Sequence, residues 1–168
     1  MNSRIFSSLL AFAVSLAVLP SAIAHEATAQ GMPVYVQDIA PAAVEAVKVV
    51  DAFSAAIKAA KLDVASELLD PKVLILESGH SERSRDEYMG SHAIADAAFM
   101  QTAQQQLRYR QARAEGDIAW VATESLLQAT EDGKSLLLLS TETMLLKKTD
   151  AGWKIVHIHW SSRPATKG

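Results

Sequence analysis

The second half of the chain is divided by three short turn sequences into four long runs of strand-forming residues. The turns are Glu-Gly-Asp at 115–117, Glu-Asp-Gly-Lys at 131–134 and Thr-Asp-Ala-Gly at 149–152, and the runs are rich in Leu, Val, Ile, Thr and Trp. Turns that contain Gly and Asp connect antiparallel neighbours, because they supply the left-handed backbone that a tight hairpin needs. The sequence therefore predicts a meander of four antiparallel strands.

Two helices are predicted before the first strand. Apolar residues recur at helical spacing over 41–61, which predicts an amphipathic helix. A second, shorter helix is predicted over 63–69, and Asp70-Pro71 would end it because the residue before a proline avoids helical geometry. Residues 72–78, with the sequence KVLILES, then indicate a buried strand.

A third helix is predicted over 84–100, because Ser84 and Glu87 have the spacing of a capping box. A hairpin or short strand is compatible with the sequence just before it, SGHSER. Helices followed by a run of strands are typical of the α+β class. We predict a cone-shaped, curved antiparallel sheet wrapped around three N-terminal helices, with a pocket at its open mouth.

The N-terminus has the pattern of a secretory signal peptide over residues 1–24. Arg4 precedes an apolar run that ends at Leu19, and small residues up to Ala24 have the spacing of a cleavage site. A second small-residue site allows cleavage after Ala29 instead. We therefore expect a periplasmic or secreted protein that keeps no membrane attachment after cleavage.

The remainder is expected to form a single domain. We predict a flexible mature N-terminus over 25–40 and one folded domain over 41–164. The chain has no cysteine, so export would bring no disulfide bonds. Its formal net charge is −3 and it has no basic cluster, which excludes nucleic acid as an expected partner.

Three polar residues of the third predicted helix, Tyr88, His92 and Asp96, are spaced to share one face. If this face lines the cone, His92 is a candidate general base, Asp96 would fix its tautomer, and Tyr88 would donate to a ligand oxygen. Glu77, at the end of the first strand, is a further carboxylate candidate. In the alternative interpretation, a neighbouring apolar stripe faces the core, and these polar residues lie at the edge of the cone or in solvent.

The closing strand, WKIVHIHWSS, places His157 and His159 on one face and Val156, Ile158 and Trp160 on the other. We expect the apolar set to meet the helices, which directs the histidines to the outer sheet face or to a subunit interface. A pocket role and a metal pair stay open as alternatives, although the spacing indicates no third ligand and we predict no metal site.

Arginine residues offer two candidate anion sites. Arg108, Arg110 and Arg113 lie on the first long strand, where a solvated face or protection of a sheet edge is expected. Arg163, near the end of the closing strand, is the better candidate, because it would lie at the mouth of the cone or at a subunit rim.

The element order, together with WKIVHIHWSS, resembles the nuclear-transport-factor-2-like superfamily and, within it, the SnoaL-like group. The closing strand is similar to the end of the association domain of calcium/calmodulin-dependent protein kinase II, which has a Trp, then Val-His-aromatic-His, then Ser. The resemblance covers residues 41–164 and implies the cone fold, with dimers or rings formed through the sheet. It leaves the function open, because the superfamily includes isomerases, dehydratases, cyclases, ligand carriers and oligomerising domains.

We therefore predict an exported, homodimeric SnoaL-like protein that binds a small molecule in the cone without a cofactor. One alternative is an isomerase or hydro-lyase that uses the His92–Asp96 pair, and another is an oligomerisation domain without catalysis. The predicted ligand contacts are Glu77, Phe53, Phe99, Trp120, Trp160 and Arg163, beside the polar set Tyr88, His92 and Asp96.

Overall fold

The structure, a computed structural model, describes residues 35–131 and 133–165. The predicted signal peptide and its alternative cleavage sites lie outside these residues. In chain order, the elements are β1 Val36–Ile39, a 3-10 turn Pro41–Ala43, α1 Val44–Lys58, α2 Leu62–Leu68, β2 Leu69–Glu77, β3 His80–Glu82, α3 Arg85–Gly90, α4 His92–Thr102, β4 Gln104–Glu115, β5 Ile118–Glu131, β6 Lys134–Thr149 and β7 Gly152–Pro164. The predicted α+β class is confirmed. Within the described ranges, no helix is both long and apolar enough to cross a membrane.

The seven strands form one sheet in the order β1-β4-β5-β6-β7-β2-β3. Strands β4 to β7 are the predicted antiparallel meander. The sheet as a whole is mixed, not antiparallel as predicted, because β1 pairs parallel with β4 and β2 pairs parallel with β7. Helical segments separate the strands of both parallel pairs, so no hairpin turn in the sequence marks these contacts.

The inner face of the sheet carries two apolar rows that cross five strands. Each row takes one residue from β4, β5, β6, β7 and β2, in that order. The first row is Ala112, Val121, Met144, Ile158 and Ile75, and the second is Ala114, Ala119, Leu146, Ile155 and Leu69. Helix α1 packs against this face with Val50, Phe53 and Ile57, and burial of these apolar surfaces is the main source of stability.

Strand β7 contains a bulge at Val156. Leu145 pairs with His157 and Leu146 pairs with Ile155, so Val156 is an extra residue on β7. The predicted inward position of Val156 is corrected by this bulge, since Ile155 is fully buried and Val156 is half-buried. Downstream of the bulge the predicted alternation holds.

The predicted third helix is broken into α3 and α4 at Ser91, whose backbone has φ −138° and ψ −86°. The predicted cap is present at its start: the Ser84 side chain accepts a hydrogen bond from the Glu87 amide at 3.1 Å, while the Glu87 carboxylate accepts one from the Arg83 amide. The break rotates α4 relative to α3, which affects the polar residues predicted to share one face.

The segment before α1 also differs from its prediction. Val36–Ile39, expected to belong to a flexible N-terminus, forms the edge strand β1 and pairs with β4. Asp38 anchors it, because its carboxylate accepts hydrogen bonds from Arg113 at 2.6 Å and Gln111 at 2.7 Å. These contacts hold the pKa of Asp38 below its usual value, with the Arg113 bond as the largest cause.

Candidate functional site

A cavity of about 290 Å³ lies between the inner face of the sheet and helices α1, α3 and α4. The helices contribute mostly apolar and aromatic walls, and the sheet contributes a more polar floor. The lining residues are Phe53, Ser54, Ile57, Glu77, Tyr88, Asp96, Phe99, Met100, Gln105, Thr123, Ser125, Leu127, Leu138, Ser140, Glu142, Trp160, Ser161 and Ser162. This volume is at the lower end for small-molecule sites.

A polar row crosses the floor, next to the first apolar row. Strand pairing aligns Arg110, Thr123, Glu142, Trp160 and Glu77 across the same five strands. Arg110 donates to the Thr123 hydroxyl at 3.2 Å, and the Trp160 indole donates to Glu142 Oε2 at 2.8 Å. These bonds fix the orientation of the floor side chains before any ligand enters.

Glu142 is the carboxylate at the centre of this row. Desolvation raises its pKa above the usual value, while the Trp160 hydrogen bond and the charge of Arg110 lower it by smaller amounts. Arg110 is itself buried and forms an ion pair with Asp51 of α1 at 2.5 Å. Glu142 is therefore an oriented carboxylate with increased proton affinity, as required of a general base or acid.

Tyr88 and Asp96 form a second polar pair on the helical wall. The Tyr88 hydroxyl donates to Asp96 Oδ2 at 2.9 Å, and both residues line the cavity. Burial raises the pKa of Tyr88 far above its usual value, so its hydroxyl stays protonated in the physiological range. Desolvation likewise raises the pKa of Asp96, although the Tyr88 hydrogen bond opposes this shift.

Glu77 is the third carboxylate that lines the cavity. Desolvation raises its pKa, and repulsion from Asp96 raises it further. Because Glu77 ends β2 and Asp96 lies on α4, they reach the cavity from different elements. Three carboxyl groups with increased proton affinity thus share one small volume.

Aromatic side chains form the remaining wall around these carboxyl groups. The rings of Phe53 and Trp160 are nearly parallel, with centroids 6.5 Å apart and an interplanar angle of 18°. The Tyr88 ring lies 6.1 Å from that of Trp160, and Phe99 also lines the cavity. Flat apolar surface and carboxylate oxygens therefore face the same space.

The structure places His92 outside the cavity, which corrects its predicted role as a base oriented by Asp96. Its Nδ1 contacts the carboxylate of Glu82 instead, and Asp96 pairs with Tyr88. The break at Ser91 separates Tyr88 from His92, which becomes the first residue of α4 and contacts Glu82 of β3, although Asp96 follows one turn later on the same helix. Glu82 is 4% exposed, so the pair joins a buried carboxylate of β3 to the start of α4.

The Glu82 contact raises the pKa of His92 above 6.5. A raised folded-state pKa means that the pair contributes its full stabilisation below pH 6.5 and loses it as the pH rises through the raised value. We expect His92→Ala to lower the free energy of unfolding by about 1–2 kcal/mol near pH 6 and by less near pH 9; the figure is modest because His92 is partly exposed. Urea unfolding at the two pH values measures this difference.

His80→Ala is the matched control for this variant. The His80 ring lies 5.8 Å from that of His92, but Glu82 pairs with His92. We expect the control to cost less than about 0.5 kcal/mol at either pH, as is usual for exposed substitutions. Equal losses for both variants, or a His92→Ala loss that grows with pH, would contradict the assigned pair.

One predicted ligand contact, Trp120, lies on the outer face of the sheet, as do the two histidines of the closing strand. Trp120 does not line the cavity, because its neighbours Ala119 and Val121 are fully buried and strand alternation directs it outward. His157 and His159 do not line it either; His157 donates to the Leu74 carbonyl at 2.8 Å. In the described ranges, no group of three or more His, Asp or Glu side chains is arranged to hold a metal ion.

The arginines divide between two environments. Arg110 is 5% exposed and ion-paired, which corrects the prediction that it belongs to a solvated face. Arg163 does not line the cavity; it lies with Arg108 along an adjoining groove that also includes Glu124 and Thr141. The groove and the cavity share a border of serine residues, Ser125, Ser140, Ser161 and Ser162.

Six residues predicted to line a pocket do line the cavity: Glu77, Tyr88, Asp96, Phe53, Phe99 and Trp160. The polar lining residues of β5 and β6 are not among the predicted contacts. Their signal in the sequence is an interruption of the inward-facing apolar alternation, in Val-x-Thr-x-Ser-x-Leu over 121–127 and Leu-x-Ser-x-Glu-x-Met-x-Leu over 138–146. A carboxylate between apolar residues of one strand face is a candidate interior group.

Comparisons with known proteins identify similar chains. The model of the SnoaL-like domain matches residues 46–166. A crystal structure from Shewanella frigidimarina, whose assignment as a ketosteroid isomerase is provisional, is 32% identical, with a TM-score of 0.67; the match covers 74% of this chain and 99% of that one. A search of curated proteins gave no match.

More distant structures share the fold. A Streptomyces avermitilis protein of the nuclear-transport-factor-2-like family, provisionally assigned as a dehydratase, is 20% identical, with a TM-score of 0.61 over 74% of this chain and 96% of that chain. The calcium/calmodulin-dependent protein kinase II hub of S. rosetta is 21% identical, with a TM-score of 0.61 over 71% and 95%. The resemblance inferred from the element order and closing strand is confirmed.

Proposed function

The chain belongs to the SnoaL-like domain family, and from that premise we propose that it binds a small organic molecule in its cavity and transfers a proton on it. One observation supports this proposal most strongly. An oriented carboxylate, Glu142, faces the same cavity as the Tyr88–Asp96 pair, and the pKa values of both carboxyl groups are raised. Proton transfer beside a carbonyl needs a base and a nearby hydrogen-bond donor for the oxygen.

In this proposal, Glu142 is the general base. Its Oε2 accepts from Trp160, and its other oxygen takes a proton from a carbon next to the substrate carbonyl. The electron pair of the broken C–H bond forms an enolate, whose negative oxygen accepts a hydrogen bond from Tyr88. In a β,γ-unsaturated carbonyl compound this enolate is a dienolate, and return of a proton from Glu142 to its γ carbon moves the double bond into conjugation, so the isomerisation regenerates the enzyme without an added reactant. In D2O the proton held by Glu142 exchanges with solvent before it is returned, which introduces deuterium into the substrate.

Asp96 prepares Tyr88 for this role. In the proposal, Asp96 takes up a proton when the substrate binds and donates it to the Tyr88 oxygen, which turns the phenol hydrogen from Asp96 to the substrate; desolvation, which raises the pKa of Asp96, supports this exchange of roles. The proposed base is thus Glu142 on the sheet, and His92 has no catalytic role. The provisional isomerase and dehydratase assignments of two similar structures favour the same reaction class.

Deuterium exchange tests the proposal without a known substrate. The full chain is incubated in D2O with small neutral enolisable ketones and β-hydroxy carbonyl compounds, and proton NMR follows loss of the C–H signal beside the carbonyl. We expect at least one compound to exchange its C–H hydrogen faster with the folded protein than with heat-denatured protein. Exchange at the background rate for every compound, despite binding, would favour the alternative of a ligand carrier.

Homodimer formation through the outer sheet face is part of the proposal. Trp120, Leu145, His157 and Leu74 are aligned by strand pairing into one partly exposed row on that face. Burial of such a row against a second copy would remove apolar surface from water. We expect His157→Asp to produce monomers in light scattering, with His80→Asp as an exposed control. A His157→Asp dimer of unchanged affinity would contradict this interface.

A further inference from the structure

The cavity contains more carboxylate than the proposed proton transfer requires. Glu142 serves as the base and Asp96 supports Tyr88, which leaves Glu77 without a role. In the described part of the chain, two donors reach these carboxyl groups: the Tyr88 hydroxyl bonds Asp96 and the Trp160 indole bonds Glu142. Glu77 and Asp96 repel each other. The surplus negative charge is unfavourable in a small, partly desolvated volume.

No lysine, arginine or histidine is among the described residues that line the cavity. Two basic side chains on neighbouring elements are engaged elsewhere. Arg110 is ion-paired with Asp51 and bonds Thr123, while His92 pairs with Glu82. Among the described residues that line the cavity, an incoming carboxylate or phosphate therefore meets no positive partner, and the carboxylates of Glu77 and Glu142 oppose its entry.

The aromatic wall favours a positively charged ligand in a second, independent way. Phe53, Tyr88 and Trp160 present ring surface to the space that the carboxyl groups border. An organic ammonium group is attracted to the faces of such rings, most strongly to Trp and Tyr, and the attraction increases when the group is desolvated. Aromatic rings and carboxylates together recognise ammonium, whereas a neutral ligand uses the rings only through apolar contact.

The opposite part of the lining suits an apolar remainder of the ligand. Ile57, Met100, Leu127 and Leu138 line the cavity with apolar surface, and serine hydroxyls lie between this part and the carboxyl groups. The cavity therefore has a negative part at the cross-strand row that contains Glu142 and an apolar part at the row in which Leu127 pairs with Leu138. A ligand with one charged and one apolar portion would complement both.

We propose that the ligand of this cavity is an organic cation, a small molecule that carries an ammonium group beside an apolar or aromatic portion. The ammonium group lies beside Glu77 and against the ring of Trp160, which pairs with Glu77 across β2 and β7, and it leaves Glu142 and Tyr88 to the enolisable carbonyl portion of the ligand. This inference rests on the proposed function, because it names the substrate class of the same cavity. It adds a charge requirement that proton transfer alone does not impose.

Three probes of similar size and different charge test the inference: 2-phenylethylammonium, 2-phenylethanol and phenylacetate. Calorimetry at pH 7.5 measures their affinities for the full chain, and the NMR signal of the Trp160 indole N–H shows whether they enter the cavity. We expect the cation to bind at least about 10-fold more tightly than the alcohol and the anion more weakly than the alcohol. Equal or tighter binding of the alcohol or the anion, or no binding of the cation, overturns the inference.

Matched variants assign the preference to the cavity. Glu77→Gln keeps the size of a side chain that proton transfer does not use, and we expect it to reduce the affinity for the cation about 3–10-fold with little change for the alcohol. Glu124→Gln removes an exposed carboxylate on the outer face of the same sheet and should change neither affinity. Equal loss of cation binding in both variants would indicate a general charge effect and contradict the assigned site.

The outcome separates this inference from the proposed function. Selective binding of the cation without deuterium exchange would retain the ligand class and reject proton transfer. Exchange of neutral ketones by a cavity that does not prefer the cation would retain proton transfer and reject the ligand class.

Discussion

Replacement of Ile155 by alanine is expected to lower the free energy of unfolding by about 2–4 kcal/mol, whereas Val156→Ala should cost less than about 1 kcal/mol. Ile155 is fully buried between Leu146 and Leu69, so truncation leaves a cavity in a row that crosses five strands. Val156 is the extra residue of the bulge and is half-buried, so its truncation removes fewer contacts. Urea unfolding measures both differences: the midpoint should shift, while the dependence of the unfolding free energy on urea concentration should stay unchanged.

The pair of neighbouring variants distinguishes the bulge from regular alternation. An uninterrupted strand would place Val156 inward with Ile158 and would therefore make Val156→Ala the more damaging change. Ile158→Ala serves as the positive control, because Ile158 is fully buried in either register. A larger loss for Val156→Ala than for Ile155→Ala would show that the bulge is absent in solution.

The bulge illustrates which parts of the fold the sequence specifies. The three turn sequences act over a few residues and correctly predict the four-strand meander. The parallel contacts of β1 and β2 join segments far apart in the chain, and no local turn marks them. Bulges and helix breaks also depend on tertiary packing, so Val156 and Ser91 appear as ordinary positions in the sequence.

The break at Ser91 also affects how well the site can be predicted. Phe53 and Glu77 lie on regular elements, where residue spacing correctly indicates the inner face. The predicted role of His92 is wrong because His92 begins α4 after the break and there contacts Glu82 of β3, a contact that its helical spacing does not indicate. Glu142 differs: the sequence predicts its strand, but hydrophobicity alone assigns a glutamate to the solvent side and does not indicate that it faces the interior.

Glu142→Gln is expected to abolish most of the proposed proton transfer, with a decrease in kcat of about 10²–10⁴-fold. The amide has nearly the shape of the carboxylate, and its oxygen can still accept from the Trp160 indole, but it cannot take a proton from carbon. Arg110 keeps its partner Asp51, so the substitution leaves no unpaired buried cation. The exchange rate of any compound that the wild-type chain processes measures the effect, and Glu124→Gln on the outer face should match the wild type.

The pH dependence of the same variant separates catalysis from structure. A base must be ionised, so wild-type exchange should rise with pH through the raised pKa of Glu142, and this rise should be absent from the residual rate of Glu142→Gln. Stability should change in the opposite sense. The folded state binds the Glu142 proton more tightly than the unfolded state, so ionisation destabilises the wild type as the pH rises through the raised pKa.

Glu142→Gln removes this destabilisation. For a desolvation cost of about 1 kcal/mol, the variant should unfold at a temperature roughly 2–4 °C higher than the wild type at pH 8. At pH 4 the two proteins should differ little. Circular dichroism at both pH values measures the shift. A variant that loses activity while gaining stability at pH 8 identifies Glu142 as a group whose unfavourable burial serves catalysis. Loss of both activity and stability would show instead that Glu142 supports the fold, and would remove it from the proposed mechanism.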